Sequence, residues 1–164
     1  MTLPRMWILP LTILMSAPAL AQTPQTPLPA AAAIPGPTLA SADKMLAAAR
    51  AKATELGVAL ACVVVDIHGD LVAAARMDGT GFLTIAVAQG KARTSALTGQ
   101  PSGGLGERGA NFAAIGGAIG QTLVTVQGAV PIVQGGKRVG GIGCSGAQAE
   151  QDEAAARAGF MAGQ

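Results

Sequence analysis

His68 is the only histidine in the chain, so a Ser-His-Asp triad, a Cys-His pair or a His-rich metal cluster would have to be built on that one imidazole. It stands beside Gly69 in a stretch with turn chemistry. That suits a plain turn residue, and it also leaves an exposed imidazole able to ligate haem iron. Further on, Arg76-Met77-Asp78-Gly79 brings a cation, a soft sulfur and a carboxylate together just before Gly79-Thr80-Gly81. Strand ends beside flexible loops are common places for binding groups. The same spacing also fits a surface Arg76–Asp78 pair with Met77 in the core, and both readings stand. Lys91 belongs to a polar stripe, Thr84, Lys91, Ser95 and Thr98, whose spacing puts all four on one side of a helix. The plain expectation for such a stripe is a solvated face.

Other constellations are excluded more firmly. Asp66, Asp70 and Asp78 lie around one hairpin, but exposed turn acids are the default and nothing else supports paired-carboxylate hydrolysis. The glycine-rich stretches around 103–109 and 135–143 lack the lysine-Ser/Thr ending of a phosphate loop. Neither lies in a strand-loop-helix unit with a following acid, so nucleotide binding by those motifs is rejected. Cys62 and Cys144 are the only cysteines; their spacing gives no zinc or redox motif, and an even pair permits one disulfide in an oxidising compartment. Because both sit in apolar strand-like runs, the plain reading is two small buried side chains, with the disulfide as the alternative.

The elements that position these residues follow from periodicity and punctuation. Residues 41–56 read as a first helix with Ser41 at its N-cap and Gly57 as its stop. Residues 58–66 and 71–77 read as a β-hairpin turning on His68-Gly69-Asp70. Residues 82–98 carry no proline and suit a helix; 99–120 suit short helical turns and loops. Residues 122–127 and 130–134 look like strands, Gly135-Gly136 like a tight turn, 138–144 like the returning strand. Residues 148–161 close the chain as a helix with Glu150, Asp152 and Glu153 in its first turn, where the macrodipole favours acids. The order implies an α+β class with a mainly antiparallel sheet rather than a parallel βαβ fold.

The ends and composition bound the setting. Arg5, the apolar run from Trp7 to Met15 and the small residues ending Ala19-Leu20-Ala21 have the order of a secretory signal, so residues 1–21 are read as a signal peptide cleaved after Ala21. Residues 22–37 hold prolines at 24, 27, 29, 35 and 37 and read as an extended linker. Residues 38–164 are the size of one domain. The expected location is periplasmic or secreted. Eleven Lys and Arg stand against nine Asp and Glu with no basic run, which argues against nucleic acid as a partner. Aromatic residues make up only 2 % and tyrosine is absent, so the core must be built from Ala, Val, Ile, Leu and Gly, in tight helix–sheet or subunit contacts.

Taken together, Val65-Asp66-Ile67-His68-Gly69-Asp70-Leu71-Val72-Ala73, Arg76-Met77-Asp78-Gly79, Lys91-Ala92-Arg93-Thr94, Val130-Pro131-Ile132 and Gly140-Gly141-Ile142-Gly143-Cys144-Ser145-Gly146-Ala147 resemble the GlcG/HbpS family, also called haem-degrading or DUF336 domains. The resemblance runs from about Ser41 to Gly159. It implies a profilin-like fold with a five-stranded antiparallel sheet flanked by helices, and association from dimers to octamers. For exported members similar to HbpS it implies haem binding, iron and redox sensing with a membrane sensor kinase, and a link to haem breakdown. It places the ligand site at Arg76, Met77, Asp78 and Lys91, with the two cations able to pair with a carboxylate such as a propionate. Two departures stand out: Cys144 replaces the family's usual aliphatic residue, and Ala129-Val130 stands in place of the second glycine of a Gly-Gly-x-Pro-Ile block.

The reading that follows is an exported small-ligand-binding protein, haem-binding and accessory to iron-redox sensing, with no catalytic residue identified and enzymatic action disfavoured. Two alternatives accompany it: an enzyme or accessory factor for a small glycolate-like organic acid, and a ligand-free oligomer with a structural role.

Overall fold

The computed structural model describes residues 36–164; residues 1–21, expected to be a signal peptide, and most of the expected linker lie outside the described residues. Helix α1 spans Leu39–Glu55, strand β1 Ala61–Asp66, β2 Leu71–Arg76, helix α2 Thr84–Thr98, helix α3 Gly109–Ala118 after a 3-10 turn at Gly106–Arg108, strand β3 Ala129–Gln134, β4 Lys137–Ser145 and helix α4 Ala149–Ala162. Thr38, not Ser41, caps α1: its hydroxyl accepts the Ser41 N–H at 3.2 Å, and the Ser41 hydroxyl donates back to the Thr38 carbonyl at 2.9 Å. Gly57 ends the helix with φ +69°, a conformation that costs glycine little.

The strands form one antiparallel sheet in the order β2-β1-β4-β3. Four strands are present where five were expected. The segment 122–127 alternates like a strand but finds its hydrogen-bond partners off the sheet: Val124 N–H donates to the Gly90 carbonyl of α2 at 3.2 Å, and the Val126 carbonyl accepts the Ser102 hydroxyl at 2.6 Å. Glycines at 90, 109 and 116 make the close passage possible, since a Cβ on any of them would press on residues of this segment. Its alternation buries Leu123 and leaves Thr122 and Val126 outside. The region 99–120, expected as short helical turns and loops, holds a longer helix than that, the ten-residue α3.

Each face of the sheet is covered differently. Cys62, Val64, Ile142 and Cys144 pack with Met45, Ala49, Ala155 and Ala156 of α1 and α4. On the other face Val63 and Val65 meet Ala88, Ala92 and Ala96 of α2. There Gly143 brings β4 so near that a Cβ would lie 2.5 Å from the Ala88 carbonyl oxygen and 2.7 Å from the Ala92 nitrogen. The alanine and glycine content is thus read out as close helix-on-sheet packing.

Both sheet edges are blunted against further pairing. β2 carries an irregularity opposite Val64 and Val65, which disrupts its ladder. β3 contains Pro131, which has no N–H, and its Ala129 is already bonded through both backbone groups to Ser102.

Candidate functional site

The expected site residues do not gather in one place. Arg76 ends β2 opposite Ala61 and is exposed, as is Asp78; among the described residues these two form no ion pair with each other. Met77 turns inward. Its N–H donates to the Leu60 carbonyl at 3.0 Å, its sulfur accepts the Leu60 N–H at 3.5 Å, and its side chain packs on the core. The loop is closed by Thr80, whose hydroxyl donates to the Met77 carbonyl at 2.6 Å, and it presents Phe82 to solvent with 86 % of its surface exposed.

Lys91 does not lie on a solvated face and is not free to meet a ligand. It is only 3 % exposed and donates to Asp152 Oδ2 at 2.8 Å and to the Cys144 carbonyl at 3.2 Å. Ser95 of the same stripe is also buried, and its hydroxyl has no partner. Asp152, 2 % exposed, uses its second oxygen to accept the Ala147 N–H at 3.1 Å. Burial raises the Asp152 carboxyl above its ordinary range, against the opposing pull of Lys91 and the Ala147 N–H. Gly128, with φ +137°, lies against this pair; a Cβ there would fall 2.5 Å from Lys91 Nζ. The sequence reading placed Asp152 in a helix first turn and missed its role. The usable signal was Lys91 itself, because a lysine on a packed helix requires a carboxylate partner.

His68 is exposed at the hairpin turn. Asp66 organises that turn by accepting the His68 and Asp70 N–H groups, both at 2.9 Å, and Arg93 Nε holds the Gly69 carbonyl at 2.9 Å. Strand β2 separates His68 from Arg76 by roughly 17 Å at the usual rise per residue, so one small ligand cannot engage both within a chain.

Cys62 and Cys144 face each other across β1 and β4 as a disulfide, Cα to Cα 4.1 Å. The Cys144 N–H donates to the Gly128 carbonyl and its own carbonyl accepts Lys91. The backbone groups of Cys144 therefore do not pair with Cys62, as befits a position between ladder hydrogen bonds, where side chains approach most closely.

A further surface escaped the sequence reading. From Gly109 to Gln127, and again from Gly79 to Gly90, there is no charged residue. The two stretches meet where Val124 lies against Gly90. Ile115, Ile119, Val126, Phe82 and Leu83 are exposed on them, and Ala113, Gly117, Gln121, Thr122 and Leu123 line an open depression of about 380 Å³. The legible signal was the absence of charge over these runs.

Among the described residues no group of three or more His, Cys, Asp or Glu could hold a metal ion, and no helix is long and apolar enough to cross a membrane.

This architecture, an antiparallel sheet between a two-helix layer and one closely docked helix, is that of a small α+β domain with an uncharged stretch around α3 and one lysine–aspartate pair sealed inside. The model of the haem degrading protein HbpS-like family matches residues 38–161, and the chain belongs to that family. It is 32 % identical over 118 residues to an uncharacterized 15.0 kDa protein of Citrobacter freundii from the dhaT-dhaS intergenic region, covering 70 % of this chain and 83 % of that one. It is also similar to the crystal structure of HbpS, with 31 % identity, a TM-score of 0.69 and coverage of 77 % and 89 % of the two chains. The crystal structure of a PduOC:heme complex is similar at 25 % identity and TM-score 0.69, over 77 % and 94 %.

Proposed function

We propose that the protein is an exported haem-binding protein that serves as an accessory in iron or redox sensing, acting by binding rather than catalysis and working as a homo-oligomer beside a membrane sensor kinase. The observation that carries the haem reading is membership of the HbpS-like family over essentially the whole folded domain, with a haem complex among its structural relatives.

The uncharged face supports it as a place for a macrocycle. Exposed Ile115, Ile119, Phe82 and Leu83 offer apolar contact, and Arg76 at the end of β2 is an exposed cation suited to a propionate. The iron is less well provided for. The depression is lined by no imidazole, thiolate or thioether, Met77 is turned into the core, and His68 lies at the far end of β2. These residues do not assemble an enclosed axial site, so no chemistry at iron is derived.

Titrating hemin into the purified protein tests the reading. A saturable Soret shift is expected, with affinity about tenfold weaker in Arg76→Ala and unchanged in His68→Ala; no shift with an intact circular dichroism spectrum would sink it. The organic-acid alternative relied on Arg76 and Lys91 together, and Lys91 is engaged by Asp152. A ligand-insensitive oligomer would favour the structural alternative.

A further inference from the structure

The cysteine pair is sealed from the reagents that make or break it. Cys62 is 1 % and Cys144 0 % exposed, in one apolar cluster with Met45 and Ala49 of α1 and Ala155 and Ala156 of α4. Thiol–disulfide exchange needs a thiolate to reach a sulfur directly, and no such path is open in the folded domain. Helix α4 is the last element of the chain, and its closure is fastened at the very residue whose sulfur it helps to cover. Asp152 in its first turn binds Lys91, and Lys91 binds the Cys144 carbonyl. Asp152 also holds the Ala147 N–H at the entry to the helix.

We infer that α4 is a lid over the disulfide, latched by Lys91 and Asp152, and that the bond is installed by a disulfide donor before the lid closes. In the incompletely folded chain one cysteine, having lost its proton, attacks the donor's disulfide. A mixed disulfide forms and one donor thiolate leaves. The second cysteine thiolate then attacks the chain's sulfur in that mixed disulfide, forming Cys62–Cys144 and releasing the second donor thiolate. Two protein thiols are oxidised by two electrons, the donor disulfide becomes a dithiol, and the two protons end on the donor sulfurs. The partner class is thus a disulfide-bearing oxidant acting on a partly folded chain. Once α4 has docked, the bond survives reductants that the open chain would not.

The test follows the rate at which dithiothreitol reduces the oxidised, full-length protein, read by mass-tagging of free thiols in quenched samples. Reduction of the wild type is expected to be at least about a hundredfold slower in native buffer than in denaturant, and to rise with urea in step with unfolding seen by circular dichroism. Asp152→Asn unlatches the lid and is expected to speed native-state reduction about tenfold or more, while Glu55→Gln, in the exposed Lys52 pair, leaves it unchanged. In the reverse direction, reduced protein that has refolded is expected to oxidise slowly with oxidised glutathione, and quickly when glutathione is present during refolding. Equal reduction rates in buffer and denaturant would overturn the inference. So would wild-type rates in a folded Asp152→Asn protein, or prompt oxidation of the refolded dithiol. The urea series on the wild type decides the matter even where the variant does not fold.

Discussion

The seam around Lys91 and the face around α3 treat charge in opposite ways. At the seam a lysine and an aspartate are sealed beneath α4, with Gly128 packed against them so closely that no side chain fits. At the α3 face nineteen consecutive residues, Gly109 to Gln127, carry no charge at all, yet Ile115, Ile119 and Val126 are exposed. The first arrangement costs desolvation and makes sense only as a fixed join between elements. The second leaves apolar surface in water and makes sense as a place where something else is covered. The two cations expected to share one ligand site are therefore divided, Lys91 to the join and Arg76 to the surface.

The contrast can be broken most severely at the seam. Asp152→Ala leaves Lys91 buried without a partner, and a loss of about 3 to 5 kcal/mol in urea unfolding is expected; a loss under about 1 kcal/mol would mean the pair is not a join. Next in size is Gly143→Ala, which sets a methyl group against the α2 backbone and should cost about 2 to 3 kcal/mol, measured in the same way.

Acidity gives a third handle on the same pair. The Asp152 carboxyl is raised by burial, so the folded chain keeps this proton to higher pH than the unfolded chain does. Its contribution is full below the unfolded value of 3.8 and is lost as pH rises through the folded value. The stability of the wild type relative to Asp152→Asn should therefore decline with rising pH over that window. Urea midpoints of both proteins from about pH 3.5 to 6 check the sign. A rising difference would show that Lys91, not burial, dominates the carboxyl.

The smallest effect on stability belongs to the open face. Ile115→Ser and Ile119→Ser should change unfolding by no more than about 0.5 kcal/mol, while each weakens hemin binding about tenfold. Stability loss without loss of hemin affinity would reverse the assignment.

Much of the fold was legible because its signals are local. The β1–β2 hairpin turns where His68-Gly69-Asp70 has turn chemistry, the β3–β4 hairpin turns on Gly135 and Gly136, both with positive φ, and α1 and α4 lie close to the expected spans. The fifth strand was not legible. Alternation in 122–127 reports one buried side, and a helix surface made of glycine accepts that side as well as a sheet edge does. The stripe on α2 was correctly grouped but wrongly faced. Period tells which residues share a side, and when the remaining sides are alanine and glycine it does not tell which one meets the core. For the same reason Arg76, Met77 and Asp78 could be located at a strand end, while the inward turn of Met77 onto Leu60 depends on packing that spacing does not encode.

Backbone hydrogen exchange with and without hemin tests the division between sealed seam and open face most directly. The account predicts that hemin slows exchange in residues 109–127 and in the loop 76–83, and leaves residues 144–152 unchanged. Protection concentrated at residues 144–152, with none at the α3 face, would contradict it.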